Sequence, residues 1–147
     1  MFNRSYNWFA KQGDIGMSAD NQLREVTAQK LDRFSVEQSD EEPREMITAI
    51  VSGLWWVDGN TGQEGQFNVH VEYRPRHWVL YPDTLTDFLR SFHDVSVRPE
   101  PAATFIWNEL ATLLYDSESD AEGNLRIRVD AETVADEYEI EKGEINE

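Results

Sequence analysis

The stretch Asp58-Gly59-Asn60-Thr61-Gly62-Gln63-Glu64-Gly65, running on into Gln66-Phe67-Asn68-Val69-His70-Val71-Glu72-Tyr73, decides the fold. The opening loop is dense in turn-forming residues. After it, Phe67, Val69, Val71 and Tyr73 alternate with Asn68, His70 and Glu72. That period of two belongs to a strand with one buried and one wet face. Upstream, Glu45 to Val57 is rich in β-branched and aromatic residues and reads as a long strand. Strand, loop and strand make a β-hairpin.

Downstream, the apolar period changes. Leu85, Phe88, Leu89 and Phe92 recur at helical spacing, after the start signals Pro82, Asp83 and Thr84. A second helix is predicted from about Pro101 to Tyr115, with Ala103, Ile106, Leu110, Leu113 and Leu114 facing the core. Ser117 to Asn124 reads as a polar, acidic turn. Leu125, Ile127 and Val129 then alternate with Arg126, Arg128 and Asp130, and a last strand carries Val134, Tyr138 and Ile140. On the N-terminal side, a helix is predicted from about Asp20 to Phe34, and an acidic loop from Ser35 to Pro43.

These elements predict an α+β fold. Two β-hairpins form a mostly antiparallel sheet with two helices packed on one face, preceded by an N-terminal helix and arm. His70, Glu72, Arg126 and Arg128 fall on the other face. Residues 1–17 are assigned to the arm, 18–141 to a single domain, and 142–147 to an acidic C-terminal tail.

The chain has 147 residues and no cysteine, which excludes disulfides, thiolate catalysis and cysteine-ligated zinc. Acids number 29 against 13 Lys+Arg, a formal net charge of −16. Such a field repels a phosphate backbone. Arg74, Arg76 and His77 form too small a basic patch to reverse it, so no direct nucleic-acid binding is expected. Lys11, Lys30 and Lys142 are the lysines; the other basic residues are arginines. An acid-rich, lysine-poor surface suits a high-salt environment, where screening removes self-repulsion. No apolar run is long enough for a membrane span, and the N-terminus does not read as a secretory signal. Virion or cytoplasm is the expected location.

Residues 54 to 115 resemble, in order and spacing, the nitrile reductases that act on 7-cyano-7-deazaguanine, members of the tunnelling-fold (T-fold) group. Thr61-Gly62-Gln63, Tyr73-x-Pro75, the helix ending Ser91-Phe92, Glu100, Asn108 and Leu110 carry the resemblance. It implies a T-fold, with Glu100 where the family has the glutamate that anchors a purine-like ring. The reactive positions depart from the family. Asp58 stands for the nucleophilic cysteine, and a carboxylate cannot form the thioimidate that a thiolate forms with a nitrile. Gly65 stands for the proton-donating aspartate, and Pro99 for the histidine beside the anchor. Tyr81-Pro82-Asp83-Thr84 replaces the cofactor segment, with Thr86 where a further lysine would be. No catalytic residues and no cofactor are therefore expected.

Asp58, Asn60, Gly62 and Glu64, and likewise Asp116, Glu118, Asp120 and Glu122, alternate as calcium-loop ligands begin. Neither stretch completes that pattern, and no metal site is expected. Glu100 has a plain alternative reading, negative charge at a helix N-terminus. Trp55 and Trp56 are adjacent on a strand and so point to opposite faces. With Trp78, Arg74 and Arg76 they are the candidate interface residues. The leading expectation is a non-catalytic structural subunit of a symmetric, ring-like assembly of its own copies and other proteins. Its element order resembles ring-forming tail-terminator and tail-completion proteins of tailed viruses, which points to a neck or tail component of a virion from a high-salt environment. The alternative is a T-fold protein that binds a purine- or pterin-like molecule and has lost catalysis, with Glu100 as anchor.

Overall fold

A computed structural model describes residues 31–36, 45–57, 62–93 and 98–146. The expected arm, the helix from Asp20 through Lys30, and the turn residues Asp58 and Thr61 lie outside the described residues. In chain order the strands are β1 (Arg33–Ser35), β2 (Ile47–Val57), β3 (Glu64–Tyr73) and β4 (Trp78–Leu80). The helices α1 (Pro82–Arg90), α2 (Pro99–Leu114) and the short α3 (Glu118–Ala121) follow, then β5 (Asn124–Thr133) and β6 (Glu137–Ile145).

The main sheet is antiparallel in the order β2-β3-β5-β6. Its two hairpins thus join by pairing their inner strands, β3 and β5, with Val69 opposite both Val51 and Val129. The alternation in the sequence fixes this register, because a one-residue slip would turn Phe67, Val69 and Val71 to water. All three are essentially fully buried. The register of β2 shifts between Val51 and Leu54, around Gly53 at φ 73°. Asn68 Oδ1 accepts the Gly53 N–H there at 2.9 Å.

Both longer helices cover one face of the sheet, α1 over β2 and α2 over β5 and β6. Pro82 and Pro99 open them at positions where a missing N–H costs nothing. Phe92, just past α1, meets Phe88 edge-on at 5.5 Å and Phe105 of α2 at 6.2 Å, which locks the two helices together.

Four expectations need correction. Arg33 to Ser35 does not end a helix; it is strand β1, paired with β4 as Phe34↔Val79. Leu31 and Phe34 fit a helical period, but the pairing partner lies more than forty residues downstream and leaves no local trace (a long-range contact overriding a short-range pattern). The acidic turn after α2 holds a helical turn, α3, capped by Ser117, whose Oγ accepts the Asp120 N–H at 3.2 Å. Val134 is fully exposed between β5 and β6 rather than in a strand. Finally, β6 runs to Ile145, past the Lys142 boundary drawn for a polar tail, and pairs Asn124 with Ile145.

Candidate functional site

The face of the sheet opposite the helices is polar and organised. Glu72 on β3 stands opposite Arg126 on β5. Arg126 Nη2 donates to both Glu72 oxygens, at 2.9 and 2.8 Å. The Glu72 side chain is only 12% exposed. Its bonds to Glu72 push the Arg126 guanidinium pKa further up from its ordinary value. One row along, His70 sits between two partners. Its Nε2 lies 3.0 Å from Asp130 Oδ2, and Arg128 Nη2 lies 3.2 Å from its Nδ1. A guanidinium can only donate, so Nδ1 accepts and Nε2 carries the proton given to Asp130. Arg128 Nε also approaches Asp130 and Glu139, at 3.9 and 3.8 Å.

Beyond these pairs the same face hollows into a depression of about 560 Å³. Gln66 and Asn68 line it from β3, Asp130 and Glu132 from β5, and Glu137 and Glu139 from β6. Among the described residues, no three metal-ligating side chains converge on one point.

Glu100 lies in the first turn of α2, where its charge faces the positive end of the helix. It pairs with Arg98 at 3.6 Å, and its side chain is 48% exposed. Tyr138 of β6 stands beside this pair and shares a hydrogen bond with Arg98. Burial first, and then the Glu100 charge, push the Tyr138 phenol up. The anchor candidate thus borders on an aromatic ring and a guanidinium at the α2–β6 seam.

The candidate interface residues separate. Trp56 is fully buried on the helix side, so within this chain it offers no surface. Trp55 is the half-buried member of the pair, and its backbone N–H is taken by His93 Nδ1 at 3.0 Å. Trp78 is half-buried on β4, with the Arg33 guanidinium 3.8 Å above its ring. Arg74 is bound into the fold: its N–H donates to the Asn124 carbonyl at 2.8 Å, and its own carbonyl accepts from Tyr115 Oη at 2.9 Å. Arg76 is half-exposed on the neighbouring loop.

The positions matched to the reductases are mainly architectural. Tyr73 is buried, which raises its phenol, and its Oη accepts the Leu80 N–H at 3.2 Å. Gly65, at the place of the acid, has no room for a side chain. A Cβ there would fall 2.3 Å from the Glu132 carbonyl oxygen and 3.0 Å from Trp56 Nε1. Pro99 opens α2 and is buried. Tyr81 precedes α1, Pro82 begins it, and Asp83 puts a carboxylate in its first turn. That segment does not fit a phosphate-bearing cofactor, since its charge is negative where a cation is needed.

No family model matches the chain, and no curated protein matches it. A solved structure does. The chain has the fold of an archaeosine synthase. The crystal structure of the archaeosine synthase QueF-Like in the apo form aligns with a TM-score of 0.52, over 69% of this chain and 94% of that one. Sequence identity is 17%, so the likeness is one of fold. It agrees with the T-fold that the residues between 54 and 115 resemble. The Glu72–Arg126 and His70–Asp130–Arg128 groups were not foreseen as a connected set. Their signal was present, as opposite charges on one face of two strands, but cross-strand register is not legible locally.

Proposed function

We propose that this chain is a T-fold small-molecule binding protein for a purine- or pterin-like base, with Glu100 as the anchor and without reductase chemistry. The observation that carries this reading is the shared fold, which spans 94% of the archaeosine synthase chain. It is supported by the place of Glu100, a carboxylate half-open to solvent beside Arg98 and Tyr138. A carboxylate accepts two hydrogen bonds side by side, which suits the paired N–H groups on the edge of an amino-substituted heterocycle. Tyr138 adds an aromatic surface next to it.

The loss of catalysis is supported from both ends. The chain has no cysteine for a thioimidate, and Gly65 leaves no space for a proton donor. The ring-forming virion component expected from element order and charge gains no comparable support. Calorimetry with deazapurines and pterins tests the base-binding reading. Wild-type chain is expected to bind, and Glu100→Gln to bind at least tenfold more weakly. Absence of binding by the wild type ends the reading.

A further inference from the structure

Three arginines, Arg33, Arg74 and Arg76, gather round the C-terminal end of α2. Arg33 of β1 donates from Nη1 to the Leu113 carbonyl at 2.5 Å, and its guanidinium lies 3.8 Å above the Trp78 ring. Tyr115, the residue after α2, donates its hydroxyl to the Arg74 carbonyl at 2.9 Å. Burial pushes that phenol up, and the charges of Arg74 and Arg76 both pull it back, so the two guanidiniums share its surroundings. Both residues sit on the β3–β4 loop, one on each side of the buried Pro75, and both are partly buried themselves. Elsewhere, Arg98, Arg126 and Arg128 have carboxylate oxygens at 3.6, 2.8 and 3.8 Å. Arg33, Arg74 and Arg76 have no carboxylate partner among the described residues. A partly buried guanidinium without a counter-charge is costly, and the chain has 29 acids from which one could be drawn. Helix polarity accounts for one of the three. The last turn of α2 holds no basic residue of its own, and Arg33 supplies that charge at the Leu113 carbonyl. Arg74 Nη1 reaches Asn124 Oδ1, a neutral group, at 3.4 Å, and the Arg76 side chain has no partner among the described residues.

We propose that Arg74 and Arg76 bind a single phosphate group, free or carried on a small molecule. A guanidinium fork matches two phosphate oxygens at once, and two forks on one short loop can hold a phosphate from two sides. The loop is set before the ligand arrives. Pro75 restricts its backbone, the Tyr115 hydroxyl holds the Arg74 carbonyl, and the His77 carbonyl accepts the Val36 N–H of the β1 side at 2.9 Å. His77 is exposed on the same loop and adds a third donor there. The net charge decides the size of the ligand. A field of −16 repels an anion in proportion to the charge it carries, so a single phosphate loses little where a nucleic acid or an acidic peptide loses much. Glu100 stands at the other end of α2, about 20 Å away along the helix, so the inference is independent of base binding there.

The test titrates the full chain with inorganic phosphate at constant ionic strength, followed by NMR of the arginine Nε–H groups and of the amides from Arg76 to Trp78. Saturable shifts at Arg74 and Arg76 are expected. Arg76→Gln is expected to bind phosphate at least tenfold more weakly. Arg90→Gln removes the same charge from the exposed end of α1 and is expected to bind within twofold of wild type. Equal losses in the two variants would mean attraction to charge alone and would overturn the proposal. So would the absence of saturable shifts in the wild type, a result that needs no variant. Ribose 5-phosphate, titrated in parallel, separates the two sources of the group. Tighter binding than inorganic phosphate assigns the site to a phosphate monoester, and equal binding assigns it to the free ion. A blocked oligoglutamate peptide that shifts the same residues at lower concentration than phosphate would make the loop a protein-docking surface, and would overturn the proposal.

Discussion

The indole of Trp107 rests directly on the backbone of Gly143. Trp107 Nε1 donates to the Leu125 carbonyl at 3.1 Å, so the ring bridges α2, β5 and β6 at one point. A Cβ at residue 143 would fall 2.4 Å from Nε1 and 2.3 Å from the Leu125 oxygen. The φ of +82° there is also one that other residues adopt only at a cost. Lys142 then reaches over the same ring at 5.5 Å. Beyond Lys142 the chain continues as a strand through its pairing with β5, Arg126↔Gly143 to Asn124↔Ile145, and the indole packs α2 onto that part of it.

Gly143→Ala is therefore expected to cost about 2–3 kcal/mol, combining left-handed backbone strain with the steric conflict. Urea unfolding followed by tryptophan fluorescence measures it. A loss under 0.5 kcal/mol would show that the ring and strand separate without cost.

Glu72 and Arg126 form the other tight pair, and its energetics are asymmetric. Arg126→Met leaves a carboxylate that is mostly buried without its partner, and is expected to destabilise by about 3 kcal/mol. Glu72→Met with Arg126→Met removes both charges and is expected to recover most of that loss, because the cost lies in the uncompensated charge. A double variant as unstable as the single one would assign the loss to packing instead.

Much of the fold was legible because its two periods are clean. Phe67 to Tyr73 and Leu125 to Val129 alternate, while Leu85 to Phe92 keeps the helical spacing, and all of them reach the core as expected. What was missed depends on distant partners. Strand β1 exists through its pairing with β4, and β6 extends to Ile145 through its pairing with β5 as far as Asn124. The site was legible at the level of single residues. Glu100 could be placed at a helix start, but its neighbour Tyr138 comes from a strand that the sequence sets far away.

Tyr115 gives a pH dependence of known sign. Its hydroxyl lies 2.9 Å from the Arg74 carbonyl oxygen and 3.0 Å from that of Asn124. Burial, the largest cause, pushes its phenol well up. The folded state thus holds this proton to higher pH than the unfolded chain, whose tyrosines titrate near 10. Stability from this group is complete below about pH 10 and falls as pH rises toward the folded value. Tyr115→Phe is expected to cost about 1 kcal/mol at neutral pH and to flatten the alkaline decline. Thermal unfolding at stepped pH checks both; an unchanged alkaline slope would remove Tyr115 from the account.

The β2 edge offers a test of self-association. Met46 and Ile50 are 43% and 56% exposed beside it. Its Trp55 end is closed, because His93 takes the Trp55 N–H at 3.0 Å, so among the described residues the open part lies between Ile47 and Val51. An apolar, uncharged edge of this kind pairs readily with another strand. The net charge of −16 opposes that at low salt, and screening relieves it within a few ångströms at molar salt. Sedimentation is expected to show an increase in mass between 0.15 and 2 M salt. Ile50→Lys, which places a charge at the middle of the open segment, is expected to keep the chain at its low-salt mass throughout. If Ile50→Lys and wild type associate equally, association does not run through β2. If the wild type stays monomeric in molar salt, the edge carries no self-association, and its exposed isoleucine is a tolerated surface residue.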